Sequence, residues 1–456
     1  MPPTTHRPAP PELSTGREIA RIIALAWPIA AAQLALVAMS LVDTAIVGRI
    51  SALELAGVAT GRSIAFAVIT PALGVTSALE ALASQAVGSG APREAWGALR
   101  ATLRGALLLT APAVLVAFAV VLALEPFGVQ HAIVRRAEWF MLGQLPGQFA
   151  FGMFFAAKTY LQAHGITRPA LVAALAANVV NVVACSLLVL GDDALRAVHL
   201  PGVGLPRLGA LGAGLANSIA TVFLAVWLLG SAWRARPAGP PHPVPVSRAL
   251  RLGLPIGLQL LAEVGVFTLV ALLAGRLGAV VASAHQVALG LASFTFMGAL
   301  GVSAATAVRV GHAVGAGTSP RRAGLLGIAV GTCMMSVGAV AFALVPGPLV
   351  RLFTHDPAVI ALGRSLLGIA ALFQLFDGAQ TVAAGALRGA GDVRFPFVAN
   401  VACHWLIGLP IALALGFGLH LGAAGLWWGL TAGLVTVAVT LTARFARISR
   451  GHIARV

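Results

Sequence analysis

Residues 19–48 read IARIIALAWPIAAAQLALVAMSLVDTAIVG, an apolar run in which Arg21 and Asp43 are the only ionisable side chains. About 20 such residues cross the hydrocarbon core of a bilayer as one helix. The run is too long for the apolar core of a cleaved leader, so it is expected to remain as a transmembrane span. Reading outward from it, eleven further runs of this kind follow. The twelve spans are expected at 19–48, 57–87, 98–124, 137–163, 169–190, 208–233, 250–275, 283–314, 322–346, 358–387, 395–418 and 422–445.

Composition agrees. Of 456 residues, 59% are hydrophobic and only 10% charged, with a mean hydropathy of +0.94. A soluble fold of this length has nowhere to hide that much apolar surface. Soluble enzymes, disordered chains and secreted disulfide scaffolds are thereby excluded. Membrane strands would show alternation over about ten residues, which these continuous runs lack. Pro28, Pro71, Pro112, Pro146, Pro255 and Pro410 fall inside the runs. Membrane helices tolerate such kinks where neighbours satisfy the freed backbone groups.

The net charge of +16 does not point to nucleic acid. Lys158 is the only lysine, and the arginines are scattered between apolar runs without stacking aromatics beside them. With twelve spans, 21 of the basic residues fall on the side of both termini and 9 on the other. Basic residues concentrate in cytoplasmic loops, so both termini are expected in the cytoplasm. Cys185, Cys333 and Cys403 each lie in an apolar run with no metal-binding spacing, and are read as reduced, buried thiols.

Residues 234–247, RARPAGPPHPVPVS, form a polar, semi-rigid connector. It divides the chain into a lobe at 17–233 and a lobe at 248–445, flanked by a disordered tail at 1–16 and a basic tail at 446–456. The halves repeat. At a shift of 227 residues, Pro28-Ile29 falls on Pro255-Ile256 and Gly48-Arg49 on Gly275-Arg276. Leu73-Gly74-Val75 likewise meets Leu300-Gly301-Val302, and Pro169 meets Pro396. Six spans per repeat give both halves the same orientation, so their pseudo-two-fold axis runs along the membrane normal, with a substrate path expected between them. Duplication kept only for packing is the alternative. Gly425, Gly429 and Gly433, four apart on span 12, are read as a close helix-packing stripe.

Charges inside spans are costly, and they mark function by default. Four acidic residues qualify: Asp43, Glu80, Glu263 and Asp377. Sequence position offers no base at mid-depth to pair with them. Gln259 lies one turn before Glu263. Phe373 and Gln374 lie one turn before Asp377, with Gln380 and Thr381 a turn after. These polar faces are expected to look into a cavity. Glu80 reads equally well as a structural cap. Under the 227 shift Glu263 meets Leu36, Asp377 meets Ala150 and Asp43 meets Val270, so the halves share a scaffold but differ in chemistry. Asn178, Asn181 and Gln286 are further cavity candidates, with helix–helix hydrogen bonding the alternative for the two asparagines. His285 and His404 read as satisfied buried side chains. No Ser–His–Asp spacing, HExxH or phosphate loop occurs, so no enzyme activity and no cofactor are expected, and transport has to draw on an ion gradient.

The motifs WPIAAAQLALVAMSLVDTAIVGRI (27–50), SALEALASQAVGSG (77–90), LGLPIGLQLLAEVGVF (252–267), SAHQVAL (283–289), AVRVGHAVGAG (307–317) and FQLFDGAQTVAAGALRGAGDVRFP (373–396) stand in an order that resembles the multidrug and toxic compound extrusion (MATE) family, in its bacterial NorM-like branch. The resemblance covers nearly the whole chain. It implies an all-α, V-shaped transporter of twelve helices in two six-helix pseudo-symmetric lobes. Such a transporter sits in the bacterial cytoplasmic membrane, works as a monomer, and exports lipophilic organic cations by antiport with H⁺ or Na⁺. It makes Glu263 and Asp377 the coupling carboxylates of the second lobe, with Na⁺ there as the alternative to H⁺, and Asp43 that of the first. Where some relatives carry a phenol one turn before the span 10 aspartate, this chain has Phe373, which keeps the ring face but loses the hydroxyl. A lipid-linked precursor flippase of the same superfamily is the runner-up. Its cavity needs several inward arginines to clasp pyrophosphate, and none is expected at mid-span.

Overall fold

The computed structural model describes residues 14–197 and 199–456. Residues 1–13 of the expected tail lie outside the described residues, and helix already begins at Thr15.

Twelve long helices replace the twelve runs, and no strand occurs among the described residues. They are α1 (Thr15–Gly48), α2 (Ala52–Gly88), α3 (Pro92–Ala123), α4 (His131–Ala163), α5 (Arg168–Leu190) and α6 (Gly209–Arg234). The second half supplies α7 (Val246–Arg276), α8 (Ala279–Gly315), α9 (Arg321–Leu344), α10 (Pro357–Ala390), α11 (Arg394–Gly418) and α12 (Gly422–Ile448). Eleven are long and apolar enough to span a membrane by composition alone; α4 is the exception. Arg135, Arg136, Glu138, Gln144, Gln148 and Lys158 dilute its apolar run. The largest boundary errors are the starts of α3, expected at 98, and α4, expected at 137. Both helices carry a charged segment, Arg93-Glu94 or Arg135-Arg136, beyond the apolar run. A helix of 34 residues is about 51 Å long, against about 30 Å of hydrocarbon, so such overhangs are expected.

Side-chain size is sorted inside out. The buried positions are largely Ala and Gly, while Leu115 and Val337 are each 72% exposed. Lipid supplies no hydrophobic drive for helices to associate, so association rests on close backbone packing through small residues. The glycine stripe of α12 behaves as expected. A Cβ on Gly429 would come within 2.3 Å of Ala412 Cα, and one on Gly425 within 2.5 Å of Gly416 N, both on α11. One thiol departs from expectation: Cys185 and Cys403 are buried, but Cys333 is exposed on an outward face of α9.

The compact units are not the two sequence halves. One, here the Asp43 unit, comprises Pro28–Leu79 and Trp96–Gly265; the other, the Asp377 unit, comprises the chain up to Trp27, Glu80–Ala95 and Val266–Val456. The connector at 234–247 therefore marks no boundary between them; α1, α2 and α7 are each divided instead. The contacts explain the divisions. In α1, Glu18 pairs with Arg309 through two 2.8 Å hydrogen bonds, and Ile22 and Ala26 pack in a core with Val302 and Phe445. Beyond Pro28, Ala32 and Ala35 pack with Ala174 in the other unit. In α2, regular helix is interrupted at Ala78, and Glu80 Oε2 accepts from Arg388 Nε at 2.8 Å. In α7, a Cβ on Gly257 would lie 2.5 Å from Pro71 Cα, whereas Phe267 packs on Phe373 at 6.2 Å.

One irregularity has no sequence signal. In α11 the residues Ala402–Gly408 and Ala414–Gly418 form π-helix, around the short α-helical turn Leu409–Leu413 that holds Pro410. Proline has no N–H to donate, and π segments inside helices often sit at functional sites.

Candidate functional site

In the Asp43 unit, α1 carries Asp43 to a position with no solvent exposure. Arg62 of α2 reaches it: Nη2 lies 3.1 Å from Oδ2. The second arm of the guanidinium, Nη1, donates to Ser40 Oγ at 2.7 Å and to the Ser40 carbonyl at 3.2 Å. The Arg62 guanidinium carbon lies 5.8 Å from the centre of the Phe140 ring of α4. This corrects the expectation that the in-span acids have no base at mid-depth. Arg62 stands well inside α2, and the polar backbone and hydroxyl of Ser40 share its charge.

Asn181 and Cys185 of α5 and Asn217 of α6 face the same carboxylate. None closes on its second oxygen: Asp43 Oδ1 and both amide atoms of Asn181 have no hydrogen-bond partner among the described residues. Asn217 Oδ1 instead accepts from Gln144 Nε2 at 3.2 Å. The cluster is held by close packing of α4 on α6. A Cβ on Gly214 would lie 2.1 Å from Phe140 O, and Ser218 Oγ donates to Gly143 O at 2.7 Å while accepting from Gly147 N at 3.0 Å. Asn178 parts company with Asn181. Its amide donates to Ala35 O at 2.9 Å, and so joins α5 to α1.

The same unit holds Gln259, buried with Oε1 unpartnered, and Glu263, half-buried one turn on. Glu263 thus groups with first-half helices rather than with the second lobe, because the N-terminal part of α7 packs on α2 through Gly253 and Gly257. Lys158 of α4 is 7% exposed. Its ammonium donates to Gln33 Oε1 at 3.2 Å and lies 4.1 Å from the centre of the Phe155 ring.

In the Asp377 unit, α10 buries Asp377 at 7% exposure and Gln374 completely. Gln374 Nε2 donates to the Thr295 hydroxyl of α8, and its Oε1 is unpartnered. Phe373 belongs to a chain of aromatic contacts. Trp427 lies 5.8 Å from Phe373 and 5.8 Å from His285, and Phe267 lies 6.2 Å from Phe373 and 6.4 Å from His404. Both histidines are buried, yet all four of their ring nitrogens lack hydrogen-bond partners among the described residues. The expectation that they are satisfied core histidines is therefore not met. Gln286, beside His285, is exposed. Glu80 takes the structural reading through Arg388, whose Nη2 also donates to Ser303 Oγ at 3.2 Å.

The sequence reading missed Arg62, Gln144 and Asn217. Arg62 is visible in the sequence as a charge within the expected span at 57–87.

Comparisons with known proteins bear on the family and the fold. The family model described as MatE matches residues 28–187 and again 255–414, two copies offset by the same 227 residues as the repeat. The multidrug resistance protein NorM of Burkholderia vietnamiensis is 36% identical, over 96% of this chain and 95% of its own. A probable multidrug resistance protein NorM of Deinococcus radiodurans is 37% identical, over 97% and 98%. Among solved structures, a mutant of the Vibrio cholerae MATE transporter VcmN superposes with a TM-score of 0.84 at 18% identity, over 96% of this chain and 98% of that one. The eukaryotic MATE transporter AtDTX14 gives 0.81 at 22% identity, over 96% and 98%. At these identities the structures speak for the fold alone.

Proposed function

Since the chain belongs to the MatE family of multidrug and toxic compound extrusion transporters, we propose that it exports lipophilic organic cations by antiport, with H⁺ as the main coupling ion and Asp43, Glu263 and Asp377 as the exchanging carboxylates. The observation that supports this most directly is the burial of Asp43 and Asp377 within spans. Charge inside a span is costly, so such a carboxyl is held either as its neutral acid or with a cation beside it. Neutralised, Glu263 and Asp377 lose their hold on a cation; ionised again at the cytoplasmic side, they attract the next. Alternating access makes the two events exclusive. Phe373 offers Na⁺ no phenol oxygen beside Asp377, which favours H⁺ over Na⁺. The flippase alternative gains little from Arg62, whose guanidinium is committed to Asp43 and Ser40.

The coupling ion is tested in vesicles preloaded with a fluorescent cation, with ΔpH and ΔNa⁺ imposed separately. Export should follow ΔpH. Full-rate export driven by Na⁺ alone, at equal pH on both sides, would show the choice of H⁺ to be wrong.

The proposal places the protein as a monomer in the bacterial cytoplasmic membrane with both termini in the cytoplasm. Reporters fused at residue 240 and at the C-terminus should then read cytoplasm, and one inserted near residue 195 should read periplasm. A periplasmic signal at residue 240 would break the division into six and six spans.

A further inference from the structure

The pairing of Asp43 with Arg62 bears on which cation this carboxylate can exchange. A buried carboxylate in a membrane span needs a counter-charge or a proton. Here the chain supplies the counter-charge itself, from the adjacent helix, at 3.1 Å. The groups around the pair come from several helices, with α3 adding only the apolar Ala117 and Val121 to the surrounding core. Helix α1 gives the Ser40 hydroxyl and carbonyl, both spent on Arg62, and α4 gives the Phe140 ring face. Helix α5 gives the Asn181 amide and the Cys185 thiol, and α6 gives the Asn217 amide. With Arg62 charged and Asp43 ionised the cluster is neutral. A free Na⁺ at Oδ1 would make it net positive, beside a guanidinium that its two Ser40 contacts hold in place.

The repeat makes the same point. At the 227 shift Asp43 meets Val270 and Arg62 meets Leu289, so the charge and its counter-charge are absent together from the second copy.

We infer that Arg62 is a tethered cation occupying the place of a free Na⁺ at Asp43, and that it thereby restricts this carboxylate to exchange with protons. The use made of the restriction rests on the antiport reading; the binding property does not. When Asp43 takes a proton from the medium, the Oδ2 ion pair is lost. No other bond changes, and Arg62 keeps its charge and its Ser40 contacts. The unpartnered Asn181 amide and Oδ1 are then free to hydrogen-bond the neutral acid, a partner that the ionised pair leaves idle.

The test is Na⁺ binding to the purified full-length protein, read as the shift in melting temperature between Na⁺ and K⁺ at equal ionic strength. Wild type and Asp43→Asn should show the same Na⁺ response, whatever other carboxylates contribute to it. Arg62→Gln should gain an upward shift of about 2–4 °C in Na⁺, and Arg62→Gln combined with Asp43→Asn should lose that gain. Arg62→Lys, which keeps the charge, should behave as wild type. The inference is overturned if Asp43→Asn lowers the Na⁺ response of the otherwise wild-type protein, or if Arg62→Gln melts cooperatively with no added response. Should Arg62→Gln not survive purification in K⁺, Arg62→Ser is prepared in both salts. Recovery of folded protein in Na⁺ alone supports the inference, and failure in both salts counts against it. Export assays stand apart from these melts. A chain that binds as described but moves no organic cation would refute the antiporter reading and leave the role of Arg62 intact.

Discussion

Glu263→Gln and Asp377→Asn should each insert and accumulate normally and yet abolish export of lipophilic cations. Both substitutions keep shape while removing a titrating charge. Charge at mid-bilayer costs roughly 2.5–3.5 kcal/mol on the insertion scale, so neutral amides should ease insertion rather than hinder it. Export should fall because each variant removes one of the carboxylates that the exchange of a proton for a cation requires. Glu263 is half-buried one turn after Gln259, whose Oε1 has no hydrogen-bond partner among the described residues, and Asp377 is buried one turn after Gln374. Leu36→Gln, at the repeat position of Glu263, serves as the control, since it adds an amide where no carboxylate stood; it should retain export. Asp43→Asn should also impair export, but it strands the Arg62 charge, so its stability has to be measured beside its activity. Resistance and efflux are the readouts, normalised to protein in the membrane. Wild-type resistance from both normally expressed amide variants would make these acids structural, and Asp43 would become the leading coupling group.

Gly257→Leu should fail at an earlier stage, in folding. At this crossing α2 and α7 meet backbone to backbone. A Cβ on Gly257 would sit 2.5 Å from Pro71 Cα, one on Gly253 2.3 Å from Val75 Cα, and one on Gly74 2.1 Å from Gly257 N. None of these neighbours is a flexible side chain, so the helices themselves must separate. Overpacking commonly costs about 1–3 kcal/mol, and a backbone clash belongs at or beyond the upper end. The expected result is loss of the monodisperse peak on size exclusion and a melting temperature well below wild type. Gly290→Leu is the matched control, because Gly290 has nothing within 4 Å of its would-be Cβ; it should purify as wild type does. Equal yields and melting temperatures for the two variants would show that this crossing is not tightly packed.

Much of the fold was legible in the sequence because membrane constraints are written in length and repetition. The spans and the glycine stripe of α12 rest on patterns along the chain and correspond to structural features, and the 227-residue shift returns in the two matches of the family model. The acids were legible because charge in an apolar run is rare. Their partners were not. Arg62 pairs with Asp43 across nineteen positions, and Glu18 with Arg309 across 291. No local period along the chain signals such a contact. The aromatic chain from His285 to His404 draws residues from α7, α8, α10, α11 and α12, and only packing brings them together. The π segments of α11 escaped for a different reason: their apolar residues carry the same hydropathy whether a turn holds one residue more or less. The division of α7 between two units is likewise a matter of which neighbour each end touches, which the hydropathy of the run does not record.

Lys158 gives the chain an unusual relation to amine chemistry. It is the only lysine in 456 residues, and its nitrogen lies between the Gln33 side-chain Oε1 and the ring of Phe155. An acylating reagent therefore finds no open side-chain amine on the folded surface. Modification at this one position counts openings of the surrounding helices rather than collisions with the exterior. The rate of acylation at Lys158 becomes a clock for local unfolding of the Asp43 unit, read by mass on a single peptide and free of the background that surface lysines impose on other proteins.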